Sequence, residues 1–362
     1  MSPHSETLWN IEPHTKAKHE ILRRYLGAWF AILGSRIPRI VYIDGFCGPG
    51  QYLGGEDGSP IIALNEALRQ PILAHSEVTF LFIDDREDRI EHLKGAISTM
   101  QIPGNLHVEP IVNKFENTLE GLLDDLAGKG QQLAPTFAFI DPFGFKGAPF
   151  EVVSRLLANP RTEVFINIMI ESINRFVEHP DDSIRKHIHE LLGASDREVD
   201  EVIASPDRIA AFRQLYLAKL RQHAHFVRYF EMEDSRNKVL YYLFFATNHR
   251  LGHARIKEVF WKVDNQSGFK FSDRTNSEQL VLLELDPSIE LAGQLKNYYG
   301  GRSEASEQVI EHVEDDTAYT CSHAKRALAF LERNRDIEVA QEKSDGTRRK
   351  KGTFPKGVLI RF

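Results

Sequence analysis

Hydrophobic and polar positions follow two different periods along this chain, and the way the periods alternate predicts an architecture. Within residues 15–33, Ile21, Leu22, Tyr25, Leu26, Trp29, Phe30 and Leu33 recur every three or four positions, the stripe of an amphipathic helix. Short apolar runs rich in β-branched and aromatic residues follow at 40–43, 78–83, 106–112, 136–140 and 163–170. Helical periodicity separates them at 60–69, 86–100, 116–127 and 150–158. Strands alternating with helices predict βαβ units and a parallel sheet covered on both faces. A helical insertion is expected near 181–223. Two further strand-like runs, 225–232 and 238–248, flank the polar segment 233–237 and suit an antiparallel hairpin at the sheet edge. The expected fold class is α/β with a Rossmann-like sheet.

The pattern changes near the C-terminus. Helical periods at 287–299, 304–313 and 322–334 are followed by strand-like runs at 337–341 and 357–362. Between these runs lies the Gly-rich basic segment 343–356. Three helices and a two-stranded wing give a winged-helix outline. The expected domains are therefore residues 1–285 and a winged-helix-like 286–362.

Composition narrows the functional classes. Hydrophobic residues at 42% and charged residues at 27% exclude a disordered, collagen-like or fibrous chain. Cys47 and Cys321 are the only cysteines, too few for a disulfide framework, and no C-x-x-C pair offers structural zinc. A reducing, cytoplasmic location is expected. The first thirty residues carry no basic-then-apolar signal pattern, and the apolar runs fall short of the about 18 residues that cross a bilayer. A soluble protein with no membrane partner is expected. The net charge of −7 is uneven: residues 323–362 hold eleven Lys/Arg against five Asp/Glu, leaving −13 on the remainder. Such asymmetry points to a local anionic partner.

The strongest local motif is Asp44-Gly45-Phe46-Cys47-Gly48-Pro49-Gly50, a glycine-bearing loop directly after an apolar strand. Ligands of α/β sheets sit beyond the carboxyl ends of strands, and glycine lets backbone approach them closely. The spacing is not that of the dinucleotide fingerprint. It resembles the D-x-F-x-G-x-G form of S-adenosylmethionine (AdoMet) methyltransferases, with Asp44 as a negative charge near a cationic ligand. A plain tight turn is the simpler reading. The second strand run ends at Asp84-Asp85, where ribose hydroxyls are held in nucleoside-binding folds. Adjacent acids also cap helices. One of the pair suffices for a ribose, and Asp84 is favoured. Asn113, followed by Lys114 and Phe115, would present a polar group and a ring to adenine. His14 and Lys18 lie one helical turn apart on one face, and Lys18 would reach a cofactor carboxylate. Ser59-Pro60 reads as a helix N-cap followed by Pro, with free amides for that carboxylate.

The fourth strand run ends Asp141-Pro142-Phe143-Gly144-Phe145. It is similar to the D/N-P-P-Y/F segment of amino-group methyltransferases, in which the acidic side chain and a carbonyl accept hydrogen bonds from the target NH2 and a ring stacks on the base. Phe143 replaces the second Pro, and Phe145 adds a ring. In the C-terminal segment, Arg348, Arg349, Lys350 and Lys351, with Phe354 and Lys356, suit phosphate contacts that position without reading sequence. A solvated charge run is the alternative.

The chain as a whole resembles the three-Cys-motif partner (TcmP) family. The likeness runs through Trp9, residues 12–19 (Glu-Pro-His-Thr-Lys-Ala-Lys-His), 44–50, 58–60, 141–145, Asn167, 172–176 and 257–264. It implies a class I methyltransferase-like fold, AdoMet as cofactor, and a three-Cys-motif, radical-AdoMet-like partner protein. A looser likeness is to an rRNA adenine-N6 methyltransferase family that also opens with a His/Lys helix and carries D-P-P-Y. The resulting expectation is an AdoMet-dependent N-methyltransferase acting on an exocyclic nucleobase amine, adenine N6 foremost, in DNA or RNA. The alternatives are a non-catalytic AdoMet- or nucleic-acid-binding partner subunit and a small-molecule methyltransferase. A cytosine-C5 mechanism needs a Cys after the fourth strand, and Cys47 lies elsewhere.

Overall fold

The computed structural model describes residues 6–264, 267–273, 286–343 and 346–362. The amphipathic opening run forms α1 (Pro13–Gly34), entered through a proline in its first turn. There follow β1 (Arg39–Asp44), α2 (Ser59–Leu68), β2 (Glu77–Asp84), α3 (Glu87–Ser98), β3 (Leu106–Val112), α4 (Phe115–Gly128), β4 (Thr136–Ile140), α5 (Phe150–Ala158) and β5 (Thr162–Ile168). The insertion consists of α6 (Ile170–Phe176), α7 (Asp182–Leu192), α8 (Asp196–Ile203) and α9 (Arg208–Arg221). The hairpin β6 (Phe226–Glu233) and β7 (Val239–Thr247), then α10 (Arg250–Val263) and β8 (Lys270–Ser272), complete the first part.

The sheet order is β3-β2-β1-β4-β5-β7-β6-β8. β1 to β5 are parallel, and β7 runs antiparallel between β5 and β6. This is the expected α/β Rossmann-like sheet with its antiparallel hairpin, which the short β8 borders at the outer edge. Order reverses between β1 and β4, the switch point where such sheets open a ligand crevice. β4 and β5 are buried along their whole length, which is why their sequences are continuous apolar runs rather than alternating ones.

The two faces of the sheet differ in chemistry. Phe80, Phe137 and Phe245 meet Tyr25, Trp29 and Phe30 of α1, with ring centroids 5.0–6.1 Å apart, and Tyr42 stacks on Phe137 within the sheet at 6.0 Å. The other face, from Ile43, Ile83, Ala138, Ile140, Val164 and Ile166, belongs to a largely aliphatic core with α4, α5 and the insertion helices that also takes in Phe150, Phe212 and Tyr216. No described helix is long and apolar enough to cross a membrane.

The chain divides into two compact units, residues 1–255 with 270–275, and 256–269 with 276–362. The division falls inside α10, earlier than the expected boundary at 285, a residue outside those described. In the second unit α11 (Pro287–Tyr299), β9 (Ser303–Ala305), α12 (Ser306–Asp316), α13 (Cys321–Asn334), β10 (Glu338–Val339) and β11 (Leu359–Arg361) surround a core of Leu291, Leu295, Val309, Leu328, Val358 and Ile360. β11 is the middle strand of an antiparallel three-stranded sheet, β10-β11-β9. The helix expected over 304–313 thus begins with a strand.

Candidate active site

Two cavities open at the carboxyl ends of the parallel strands. The first, about 750 Å³, is lined by Gly45, Phe46, Asp84, Asp85, Arg89 and Asn113, among others. The second, about 800 Å³, is lined by Trp9, His14, Lys18, Asp141, Asn167 and Tyr241, among others. Phe143 and Phe145 line both. The structure thus splits the residues expected to hold one cofactor between two neighbouring chambers.

The glycine loop follows β1 as expected. Gly48 has φ +62° and Gly50 φ +82°, a left-handed backbone that side chains resist. At Gly50 a Cβ would also lie 2.6 Å from Leu93 Cδ1. Asp44 itself is fully buried. Burial pushes its carboxyl up to about 7, against the Ser59 hydroxyl and the Phe46 N–H that donate to it. Asp44 lines neither cavity, and the Tyr42 hydroxyl lies 3.5 Å from its Oδ2. Ser59 also departs from expectation. The N-cap of α2 is Gly58, which leaves Ser59 buried inside the first turn with its hydroxyl on Asp44.

At the end of β2 the two acids separate. Asp84 is buried and accepts from Gly48 N (3.1 Å) and Arg86 N (3.0 Å), with the Arg89 guanidinium at 3.4 Å. It ties the glycine loop to α3, and burial raises its carboxyl despite these partners. Asp85 is exposed on the cavity lining, so it is the acid available to a ribose. Asn113 accepts from Lys114 N at 2.9 Å. Phe115 is buried, its ring centroid 5.6 Å from that of Phe46, and so supports the cavity wall.

The second chamber is organised by Asp141. Its Oδ2 is ion-paired with Lys18, and its Oδ1 accepts from Asn167 Nδ2 at 2.7 Å. Lys18 is 6% exposed, and a buried ammonium without a counter-charge is costly. It pairs with Asp141 and lines the second chamber. His14, one turn earlier, pairs through Nδ1 with Asp273 Oδ2 at 3.1 Å and also lies in this chamber, not in the first. Phe143 is 43% exposed, and Trp9 meets it edge-on at 5.7 Å. The Arg89 guanidinium lies 5.2 Å and 5.4 Å from the Trp9 and Phe143 ring centroids. Phe145 packs on Phe176 at 5.7 Å. His19 is wholly buried beside Lys18, and burial holds its imidazole down at about 3.

Trp9, Asn167 and His19 enter the sequence reading only through the family resemblance. Arg89, Tyr241 and Asp273 have no sequence signal, because each reaches the site from a segment without a motif. In the second unit, Arg348, Lys350, Lys351 and Lys356 are exposed, but Arg349 is 5% exposed. Its guanidinium pairs with Glu332 of α13 and donates to the Ala340 carbonyl at 2.6 Å and the Thr353 carbonyl at 3.2 Å. Arg349 is therefore removed from the phosphate-contacting set: it is spent inside its own unit.

No family model matches this chain, and no curated protein is similar to it in sequence. Solved structures are distantly similar. A DUF519-family protein from Legionella pneumophila shares 10% identity, with 64% of this chain and 85% of that one covered, at a TM-score of 0.38. A candidate methylase from Haemophilus influenzae shares 13% over 62% and 89%, at 0.31. A cyclopropane synthase from Mycobacterium tuberculosis shares 10% over 96% and 82%, at 0.28.

Proposed function

We propose that this protein is an AdoMet-dependent N-methyltransferase acting on an exocyclic amine of a nucleobase, adenine N6 foremost, in DNA or RNA. The observation that carries this reading is the pair of chambers sharing Phe143 and Phe145 at the sheet switch point. The first suits AdoMet: its volume is that of a cofactor pocket, Asp85 is free for ribose hydroxyls, and the glycine loop lets backbone come close. When bound, AdoMet supplies an electrophilic methyl group. The second suits a planar base. Trp9, Phe143 and Phe145 offer rings for stacking, worth about 1–3 kcal/mol per stacked base. Asp141 and the Pro142 carbonyl would accept hydrogen bonds from the amine, orienting its lone pair. Lys18 and Asn167 hold Asp141 for this task. A base inside a duplex would first be flipped out.

We infer a winged helix from the α11-β9-α12-α13-β10-β11 order of the second unit, and the exposed Arg348, Lys350, Lys351 and Lys356 would rest on phosphates. One observation favours the second reading, a non-catalytic subunit beside a three-Cys-motif protein: both Asp141 oxygens already have partners within the chain. Incubation with methyl-labelled AdoMet and total DNA and RNA, separately, distinguishes the two. Label in N6-methyladenine supports the first reading. AdoMet binding by calorimetry without label in any base supports the second.

A further inference from the structure

We propose that His14 and Asp273 form a base dyad that takes the proton released when the acceptor amine is methylated; this rests on the N-methyltransferase reading above. Methylation of a neutral NH2 creates a proton problem. The nitrogen lone pair forms the N–C bond while the C–S bonding electrons of the sulfonium donor return to sulfur. The nitrogen is then cationic and must lose a proton to regain its lone pair. Asp141 is poorly placed to keep that proton, because its charge is already balanced by Lys18 and one oxygen is shared with Asn167. Protonating it would leave a buried ammonium unpaired.

The titratable groups lining the chamber are Glu6, Glu12, His14, Lys18, Asp141 and Tyr241. Glu6 and Glu12 are exposed at the rim. Lys18 is an ion-pair donor, and burial raises the Tyr241 hydroxyl well above its ordinary range. His14 remains. Asp273 accepts from its Nδ1–H at 3.1 Å, which leaves Nε2 as the ring nitrogen with a lone pair for a ligand. The ring is further fixed by an edge contact with Tyr241 at 5.6 Å, whose hydroxyl donates to the His14 carbonyl at 3.2 Å. His14 precedes Lys18 by one turn, about 6 Å along α1, and lines the same chamber as Asp141. The N–H proton passes to Nε2, the imidazolium rests against Asp273, and water later removes the proton. His14 is the catalytic residue and Asp273 the positioning residue.

Two measurements test this. In the free protein, side-chain 15N NMR should show His14 as the Nδ1–H tautomer, with the preference lost in Asp273→Asn. In the methyl-transfer assay, His14→Gln should lower kcat about 100-fold, the usual scale for a general base, with KM for the acceptor little changed. An Nε2–H tautomer in the free protein overturns the dyad. So does a His14→Gln variant whose kcat stays within twofold of an active wild type. A wild-type protein that methylates no nucleobase overturns the underlying reading, and the dyad's catalytic role with it.

Discussion

Replacing Arg349 tests how the basic segment of the second unit is built. Arg349 is 5% exposed, and its guanidinium faces Glu332 while donating to backbone carbonyls of residues 339, 340 and 353. Glu332 accepts in addition from Gly352 N at 3.0 Å. Arg349→Ala leaves that carboxylate buried and unbalanced and several carbonyls without a donor. Breaking a buried pair from one side costs about 3–5 kcal/mol. With a urea slope of about 2 kcal/mol/M, the midpoint of this unit should fall by about 2 M. Trp261 reports on it: its Nε1 donates to the Ala318 carbonyl at 2.8 Å and its ring stacks on Tyr319. Arg349→Met with Glu332→Leu should recover most of the loss, since apolar replacement of both partners removes the unpaired charge. The triple variant Arg348→Ala, Lys350→Ala, Lys351→Ala should leave the midpoint nearly unchanged. It should instead flatten the salt dependence of nucleic-acid affinity by about 2–3 in log–log slope, at about 0.7–0.9 per phosphate. A loss below about 1 kcal/mol for Arg349→Ala would refute the assignment of Arg349 to the interior.

Gly48→Val forces a β-branched residue to φ +62° and should abolish AdoMet binding in calorimetry while circular dichroism stays native. Normal affinity would remove the loop from the cofactor site. Asp141→Asn should reduce methyl transfer at least tenfold with AdoMet affinity retained, and turnover within a few-fold of wild type would place the acceptor elsewhere. Glu163, buried on β5 with Tyr25 Oη at 2.7 Å, has its carboxyl pushed by burial from 4.5 to about 7. The folded state therefore holds a proton that the unfolded state releases, and stability falls as pH rises from about 4.5 to 7, by about 3 kcal/mol at most. Glu163→Gln should remove that part of the pH profile in urea unfolding. His19, lowered to about 3, acts in the opposite sense and strengthens the fold as pH rises from 3 to 6.5. An unaltered profile in Glu163→Gln would show the carboxyl to be ionised throughout.

The middle of the sheet was legible because β4 and β5 are buried on both faces and so are mostly apolar runs. β8 and β9, three residues each, are too short to carry a period, and α10 had no distinct signal in the periodicity reading. At the site, spacing found the loop, the acids after β2 and Asp141, but not which oxygens faced a cavity. Asp84 and Asp85 are neighbours in sequence and opposite in exposure. The same holds in the basic run, where Arg348 bridges Glu342 in antiparallel sense and the next side chain, Arg349, turns inward, as neighbours along extended chain do. That alternation was the available clue to Arg349. Periodicity puts Lys18 on its helix face, but its pairing with Asp141 has no local signal, since that partner lies 123 residues away.

The path of the chain also bears on the order in which the protein can be made. It leaves the first unit at residue 255, returns for residues 270–275, and leaves again. That short return supplies β8, paired with β6, and Asp273 beside His14. A ribosome adding about 5–20 residues per second delivers Asp273 roughly one to four seconds after Arg255. Until then the nascent first unit has its glycine loop and Asp141, but His14 has no carboxylate behind it. The His14–Asp273 pair at the second chamber is thus formed only after synthesis of the second unit has begun, and a fragment ending at residue 255 would lack it.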